Sequence, residues 1–193
     1  MAPVTSDLDE LDCLALDLEL DHVVTAWQVR RWYKQSIAEL EERGFLLERH
    51  AIKLTRSTHR VRDVAFVMLD EKFRTHSHVS LYHLAGTAEI RYVLGAGYVF
   101  GGEQEWSSSA WRESATMVPD GLWEQPDGTR IAIEFDATHY SNPRVLEKAE
   151  RFAEFDGQVW GAPTETRVAA LKKLVSGVDP RAQVVLANPL TGR

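Results

Sequence analysis

The stretch Arg130 to Asp136, RIAIEFD, constrains this chain more than any other. Ile131, Ile133 and Phe135 alternate with Ala132, Glu134 and Asp136. A period of two makes this a strand, with large apolar side chains on one face and both carboxylates on the other. Just ahead, Pro126-Asp127-Gly128 suits a three-residue hairpin loop, proline opening a type I turn and glycine taking the left-handed position. Gln125 then opposes Thr129, and counting back sets Asp120 opposite Glu134. Cross-strand partners lie about 4.5–5.5 Å apart at Cβ, so Asp120, Glu134 and Asp136 are expected on one patch. The inference hangs on the loop, because a one-residue slip sends Asp120 to the other face.

Gathered carboxylates repel one another unless a positive charge sits among them. A hard divalent cation such as Mg²⁺, held by one or two carboxylates and completed by water, is the usual answer. Such an ion polarises a phosphoryl oxygen and generates a nucleophilic hydroxide. The alternative is a solvated acidic face of a hairpin, and spacing does not choose between the two. Downstream, Asn142 is placed to cap a helix with Pro143 in its first turn. Val145, Ala149, Phe152 and Ala153 form its buried stripe, with Lys148 at the edge, either reaching inward or snorkelling to solvent.

Around this centre the chain reads as one or two domains with ample apolar residues for a core. A single cysteine, Cys13, leaves no internal disulfide and fits a reducing, cytoplasmic setting. An acidic N-terminus and the lack of a long apolar run predict neither a signal peptide nor a membrane span. The net charge of −7 argues against indiscriminate nucleic-acid binding, but its distribution is uneven. Residues 1–20 hold six acids and no Lys or Arg, whereas residues 22–62 hold nine Lys and Arg against four acids.

The acidic segment reads as a packing helix, with Leu8, Leu11, Leu14, Ala15 and Leu18 on one face and the acids on the other. Thr25/Gln28 and Ser36/Glu39 have capping-box spacing, so two short helices follow, the second stopped by Gly44. Arg30 to Lys34 between them is expected to be a tight turn. Phe45 to Glu48 and Val64 to Leu69 read as two strands around a basic loop. Three helices and a hairpin are the order of a winged helix-turn-helix. The helix from Ser36 would be its recognition helix, flanked by Arg30, Arg31, Lys34 and Gln35. The wing would offer Lys53, Arg56, His59, Arg60 and Arg62 to phosphates. The same architecture also serves as a protein-interaction or dimerisation module, and Glu39, Glu41 and Glu42 would be repelled by any phosphate they faced.

His76, His78 and His83 have no cysteine or carboxylate nearby at zinc-site spacing, and read as surface or packing residues. Leu81 to Leu94 is a mostly apolar helix bridging two halves, residues 1–75 and 76–193. Gly95, Gly97, Gly101 and Gly102 follow without the strand-to-helix context of a phosphate loop. Trp106 and Trp111 fall in a Ser-rich loop. A strand at Gln158–Gly161, a helix at Thr164–Val175 and a strand at Ala182–Ala187 complete the second half, with Trp123 and Trp160 as core or sheet residues.

Pro119-Asp120 followed by Glu134 in a hairpin that leads into a helix resembles the PD-(D/E)XK, or restriction-endonuclease-like, fold. The resemblance implies that Asp120 and Glu134 bind the metal. It also calls for a lysine two residues after the glutamate, where this chain has Asp136. Some members of that superfamily carry the lysine on the following helix, which implies Lys148. Taken whole, residues 22–175 resemble the replication-relaxation family of plasmid and mobile-element proteins. The match rests on LYHLAGTAEIRYVLG, Pro119-Asp120, IAIEFD, VLEKAERF and QVWGAPT. It implies an α+β chain, a winged helix-turn-helix followed by a degenerate nuclease-like domain, acting on double-stranded DNA in relaxation or replication. Two functions are compatible with it. One is Mg²⁺-dependent nicking by Asp120, Glu134, Asp136 and Lys148. The other is a catalytically silent regulator whose nuclease-like half is a scaffold or homodimerisation unit.

Overall fold

The computed structural model describes residues 8–53, 61–96, 105–108, 118–137 and 140–191. Helices and strands are mixed, and two sheets share one long helix. Arg56, His59, Arg60 and Trp111 lie outside the described residues, as does the side chain of Lys53.

The first half runs α1 (Glu10–Asp21), β1 (Val23–Thr25), α2 (Ala26–Gln28), α3 (Ile37–Glu42), β2 (Leu46–Lys53) and β3 (Val61–Met68). Both expected capping boxes form: Thr25 with Gln28, and Ser36 with Glu39. Each joins a side-chain acceptor to an orphan backbone N–H and receives a return bond. The chain between these helices differs from the expected tight turn. α2 continues as a π-helical turn over Val29–Tyr33, and the reversal falls on Lys34, at φ 60°. Burial of Val29 and Tyr33 on the inner side of that turn explains why the helix runs on. β1 went unforeseen, since three residues carry too little pattern; it pairs antiparallel with β3, giving the order β1-β3-β2. β2 and β3 reach further into the stretch expected to be a basic loop than the sequence suggested, with Ile52 opposite Arg62.

In α1 the acids are not all on a solvated face. Asp17 and Asp21 are buried beside Leu14 and Leu18, where they meet Arg91, whereas Leu8 precedes the helix and is exposed. A buried carboxylate needs such a partner.

α4 (His78–Val93) begins three residues before the expected Leu81 and lies between the two sheets. One side joins the first half through Leu81, Leu84, Ala85, Ala88 and Tyr92. The other packs on the second sheet through Ile90 and Gly86. The approach is close: a Cβ on Gly86 would fall 2.2 Å from the Phe135 ring, and one on Gly161 2.4 Å from Ile90 Cγ1.

The second half continues with β4 (Glu105–Ser108), β5 (Gly121–Glu124), β6 (Arg130–Phe135), α5 (Asn142–Phe152), β7 (Gly157–Ala162), α6 (Glu165–Val175) and β8 (Gln183–Leu186). The sheet order is β4-β5-β6-β7-β8; the first three strands are antiparallel neighbours, and β6, β7 and β8 are parallel. β4 stands where a loop was expected, and Trp106 on it is buried. The hairpin has the expected register: the Gln125 N–H donates to Thr129 O, Glu124 faces Arg130, and Gly128 takes φ 85°. Ile131, Ile133 and Phe135 join the core under α4, while Ala132 joins Trp160, Val145, Phe152 and Leu171 under α5 and α6. Both faces are therefore covered, and Glu134 and Asp136 are fully buried instead of lying on an open hairpin face. In α5 the cap is Ser141, one residue before the expected Asn142, and Ala153 is exposed, its place in the stripe taken by Lys148. The C-terminal segment returns to the first half, where Leu190 is buried and the Thr25 hydroxyl donates to Pro189 O at 2.5 Å.

Candidate functional site

Asp120, Glu134 and Lys148 meet at one end of the second sheet. Gly121 pairs with Ile133, which continues to Asp120 opposite Glu134, as the hairpin predicted. Asp120 Oδ2 is held by the Phe135 N–H at 2.9 Å. Lys148 descends from α5, only 5% exposed, and its ammonium forms an ion pair with Glu134 Oε1. It reaches inward and does not snorkel. The Lys148 ammonium also lies 3.4 Å from the Tyr140 hydroxyl and 4.9 Å from the centre of that ring. Glu134 Oε2 is buried and has no hydrogen-bond partner among the described residues. Such an orphan is costly and marks a place for a ligand, a water or an ion.

The electrostatics follow from this packing. Burial, reinforced by the charge of Asp120, pushes the Glu134 carboxyl up to about 8 against the pull of Lys148. Tyr140 is pushed up as well, by burial and then by the charges of Glu134 and Asp120. His83, read from the sequence as a surface or packing residue, belongs to the same site. Its Nδ1 is 3.7 Å from Asp120 Oδ2, and its ring meets Phe135 edge-on. Burial disfavours its charged form, but Asp120 and then Glu134 outweigh that and hold the imidazole above its ordinary pKa. The signal was present in the spacing: His83, Gly86 and Ile90 stand at i, i+3 and i+7, on the side of α4 that meets the sheet.

Asp136 stands apart from this cluster, engaged by a different cation. Arg167 on α6 donates to Asp136 Oδ2 from Nε at 3.0 Å and from Nη2 at 2.5 Å, and also bonds Tyr140 O. Asp136 is thus one end of a structural ion pair that ties α6 to β6. Nothing near it in sequence announced Arg167.

For a cation, the donors are Asp120 and the unused oxygen of Glu134. Two carboxylates with water suit Mg²⁺, which rarely takes an all-protein cage. Among the described residues no group of three or more His, Cys, Asp or Glu is gathered to hold a metal. The donor set therefore fits a weakly held, water-completed ion and not a dedicated metal cage.

The expected DNA-contacting residues divide. Arg30 and Lys34 are exposed, the Lys34 ammonium donating to Arg31 O at 2.6 Å. Arg31 is drawn inward, its guanidinium 2.8 Å from buried Glu89 and stacked 4.3 Å from the Trp32 ring centre. Ser36 is used by its capping box, and Gln35 lines a cavity beside α2. Arg62 reaches back to Leu190 O at 3.4 Å. The outer residues of α3 are Ala38, Glu39, Glu41 and Glu42, and Arg43 is bound by Asp9 and Asp12. That helix face is acidic.

Comparison of the chain with protein-family models, with curated proteins and with solved structures gives no match.

Proposed function

We propose that this is a DNA-binding protein of the replication-relaxation type. A winged helix-turn-helix first half engages double-stranded DNA, and a PD-(D/E)XK-like second half nicks it during relaxation or replication of a plasmid or mobile element. The observation that carries the reading is the meeting of Asp120, Glu134 and Lys148, brought by one hairpin and one helix to one end of a five-stranded mixed sheet. The strand order and directions, with α4 on one face and α5 and α6 on the other, support the same fold reading.

Asp120 and Glu134 would hold a divalent cation there, and the bound ion supplies polarisation of a phosphoryl oxygen and activation of water. Lys148, on the helix instead of the strand, sets Glu134 in place and offers its ammonium to the charge that builds on the phosphate. Tyr140 packs over that ammonium and screens it from solvent. His83 holds Asp120 from the side of α4.

A second reading, a silent winged-helix regulator with a nuclease-like scaffold, is favoured by one specific pattern. Lys148 neutralises Glu134, Arg167 neutralises Asp136, and the outer face of α3 is acidic. Supercoiled plasmid incubated with the protein in Mg²⁺ or Mn²⁺ separates the two. Open circles formed by the wild type, and lost with EDTA or in Glu134→Gln, support nicking. A salt-sensitive duplex gel shift without nicking supports the regulator. Neither nicking nor a shift defeats both readings.

A further inference from the structure

α2 presents its second residue, Trp27, to solvent, because the neighbouring Gln28 and Val29 turn into the core. At 49% exposure its indole is a large aromatic face left open beside a cavity of about 160 Å³. That cavity is walled by Arg30, Gln35 and Ile37 on the helical side and by Arg49 and Asp63 on the β2–β3 side. Arg30 makes no ion pair among the described residues; its guanidinium stands 6.0 Å from the Trp27 ring centre, the outer limit of a cation–π contact. Arg49 faces Asp63 at 3.6 Å with both side chains more than half exposed, a pair weak enough to open for a stronger anion.

An open aromatic face, two guanidinium groups against one carboxylate, a side-chain amide and apolar lining suit a planar ring that carries a phosphate. We propose that this cavity takes an unpaired nucleotide of single-stranded DNA. Its base would stack on Trp27 over Ile37, and its phosphate would lie between Arg30 and Arg49. The proposal rests on the DNA-binding reading above and adds to the first half a site for an unpaired base, separate from its duplex contact. In a duplex the base faces are closed by stacking, so only an unpaired base offers its ring to an exposed indole. Of the acids nearby, Asp63 is paired with Arg49 and Glu39 accepts from the Ser36 N–H at 2.7 Å in the capping box, whereas Glu41 and Glu42 stand at the far end of α3.

Fluorescence anisotropy of a short labelled oligothymidylate, beside a labelled duplex of equal length, tests this with the full chain. Trp27→Ala should weaken single-strand binding by about 5- to 150-fold, the range for loss of one base–aromatic stack, with duplex binding within about twofold of wild type. Trp27→Phe should restore most of the loss, and Arg30→Gln should weaken binding and flatten its salt dependence. Far-UV circular dichroism checks that each variant is folded. Equal single-strand binding by folded Trp27→Ala overturns the proposal. So does a wild type that ignores the oligonucleotide, the result expected if the cavity docks a protein; duplex binding by that same sample would leave the broader reading standing. Single-strand binding without duplex binding would support the cavity and count against a duplex-binding winged helix.

Discussion

Arg91→Met tests the charge cluster that joins α1 to α4. Arg91, Asp17 and Asp21 are all 0–1% exposed. The guanidinium binds Asp21 from Nε at 3.1 Å and from Nη2 at 2.5 Å, Asp17 from Nη2 at 2.5 Å, and Ala96 O from Nη1 at 3.0 Å. Asp17 also accepts from the Tyr33 hydroxyl, which is 3.0 Å from that of Tyr92. Methionine matches the stem but leaves two buried carboxylates facing each other. Removing one partner of a buried pair costs about 3–5 kcal/mol, a large share of the ~5–15 kcal/mol that holds a typical domain. With a urea slope of ~2 kcal/mol/M, the midpoint should fall by about 2 M near pH 8.

The pH dependence gives the sharper check. Burial already pushes Asp21 up to about 6, with Asp17 adding to it and Arg91 opposing. A folded-state pKa raised above the unfolded value gives stability that is complete below the unfolded pKa and is lost as pH rises through the folded one. Without Arg91 that opposition disappears, so the deficit should shrink toward pH 5 as Asp21 takes up a proton. Asp17→Asn/Asp21→Asn/Arg91→Met, with no charge left to bury, should be more stable than Arg91→Met at pH 8. Tryptophan-monitored urea melts at both pH values measure all of this. A loss under ~1 kcal/mol, or an equal loss at pH 5 and pH 8, would refute the account of a desolvated, mutually dependent cluster.

Two further perturbations probe the packing of α4. Gly161→Ala would set a Cβ 2.4 Å from Ile90 Cγ1 and should cost about 1–3 kcal/mol by overpacking. In a double-mutant cycle with Ile90→Ala the combined loss should fall short of the sum by at least ~1 kcal/mol, and strict additivity would contradict the close approach. Glu89 is pushed up to about 7 by burial, against its bond from Trp32 and the charge of Arg31. Its share of stability, up to ~3 kcal/mol, is present below about 4.5 and lost as pH rises through 7. Glu89→Gln should therefore reduce the fall in thermal stability between pH 5 and pH 8, to which Asp21 and Glu134 still contribute, and a slope equal to that of wild type would rule this out.

The hairpin register and the order of elements could be read from the chain because local chemistry sets them. Pro126-Asp127-Gly128 selects a turn, alternation selects a face, and the two together deliver Asp120 to Glu134 without knowledge of anything distant. The capping boxes at Thr25 and Ser36 marked helix starts for the same reason. β1 and β4 escaped notice because neither is tied to its partner by a local turn as β5 is to β6; β1 pairs with distant β3, and β4 with β5 across an intervening stretch. At the site, Asp120, Glu134 and Lys148 were within reach of sequence reasoning, since one hairpin and one helix hold them.

Whether a charge is available for function was a different matter. Arg167 takes Asp136, Glu89 takes Arg31, and Arg91 takes Asp17 and Asp21, each partner 31 or more residues away or on another element. Both faces of β6 are covered because α4 and α5 close over it, which turns an apparently open acidic face into a buried one. Composition and spacing specify which charges a chain owns and which way a strand presents them. Ion pairing and desolvation depend on what packs alongside in three dimensions, and that is where Glu134, Lys148 and His83 acquire their chemistry.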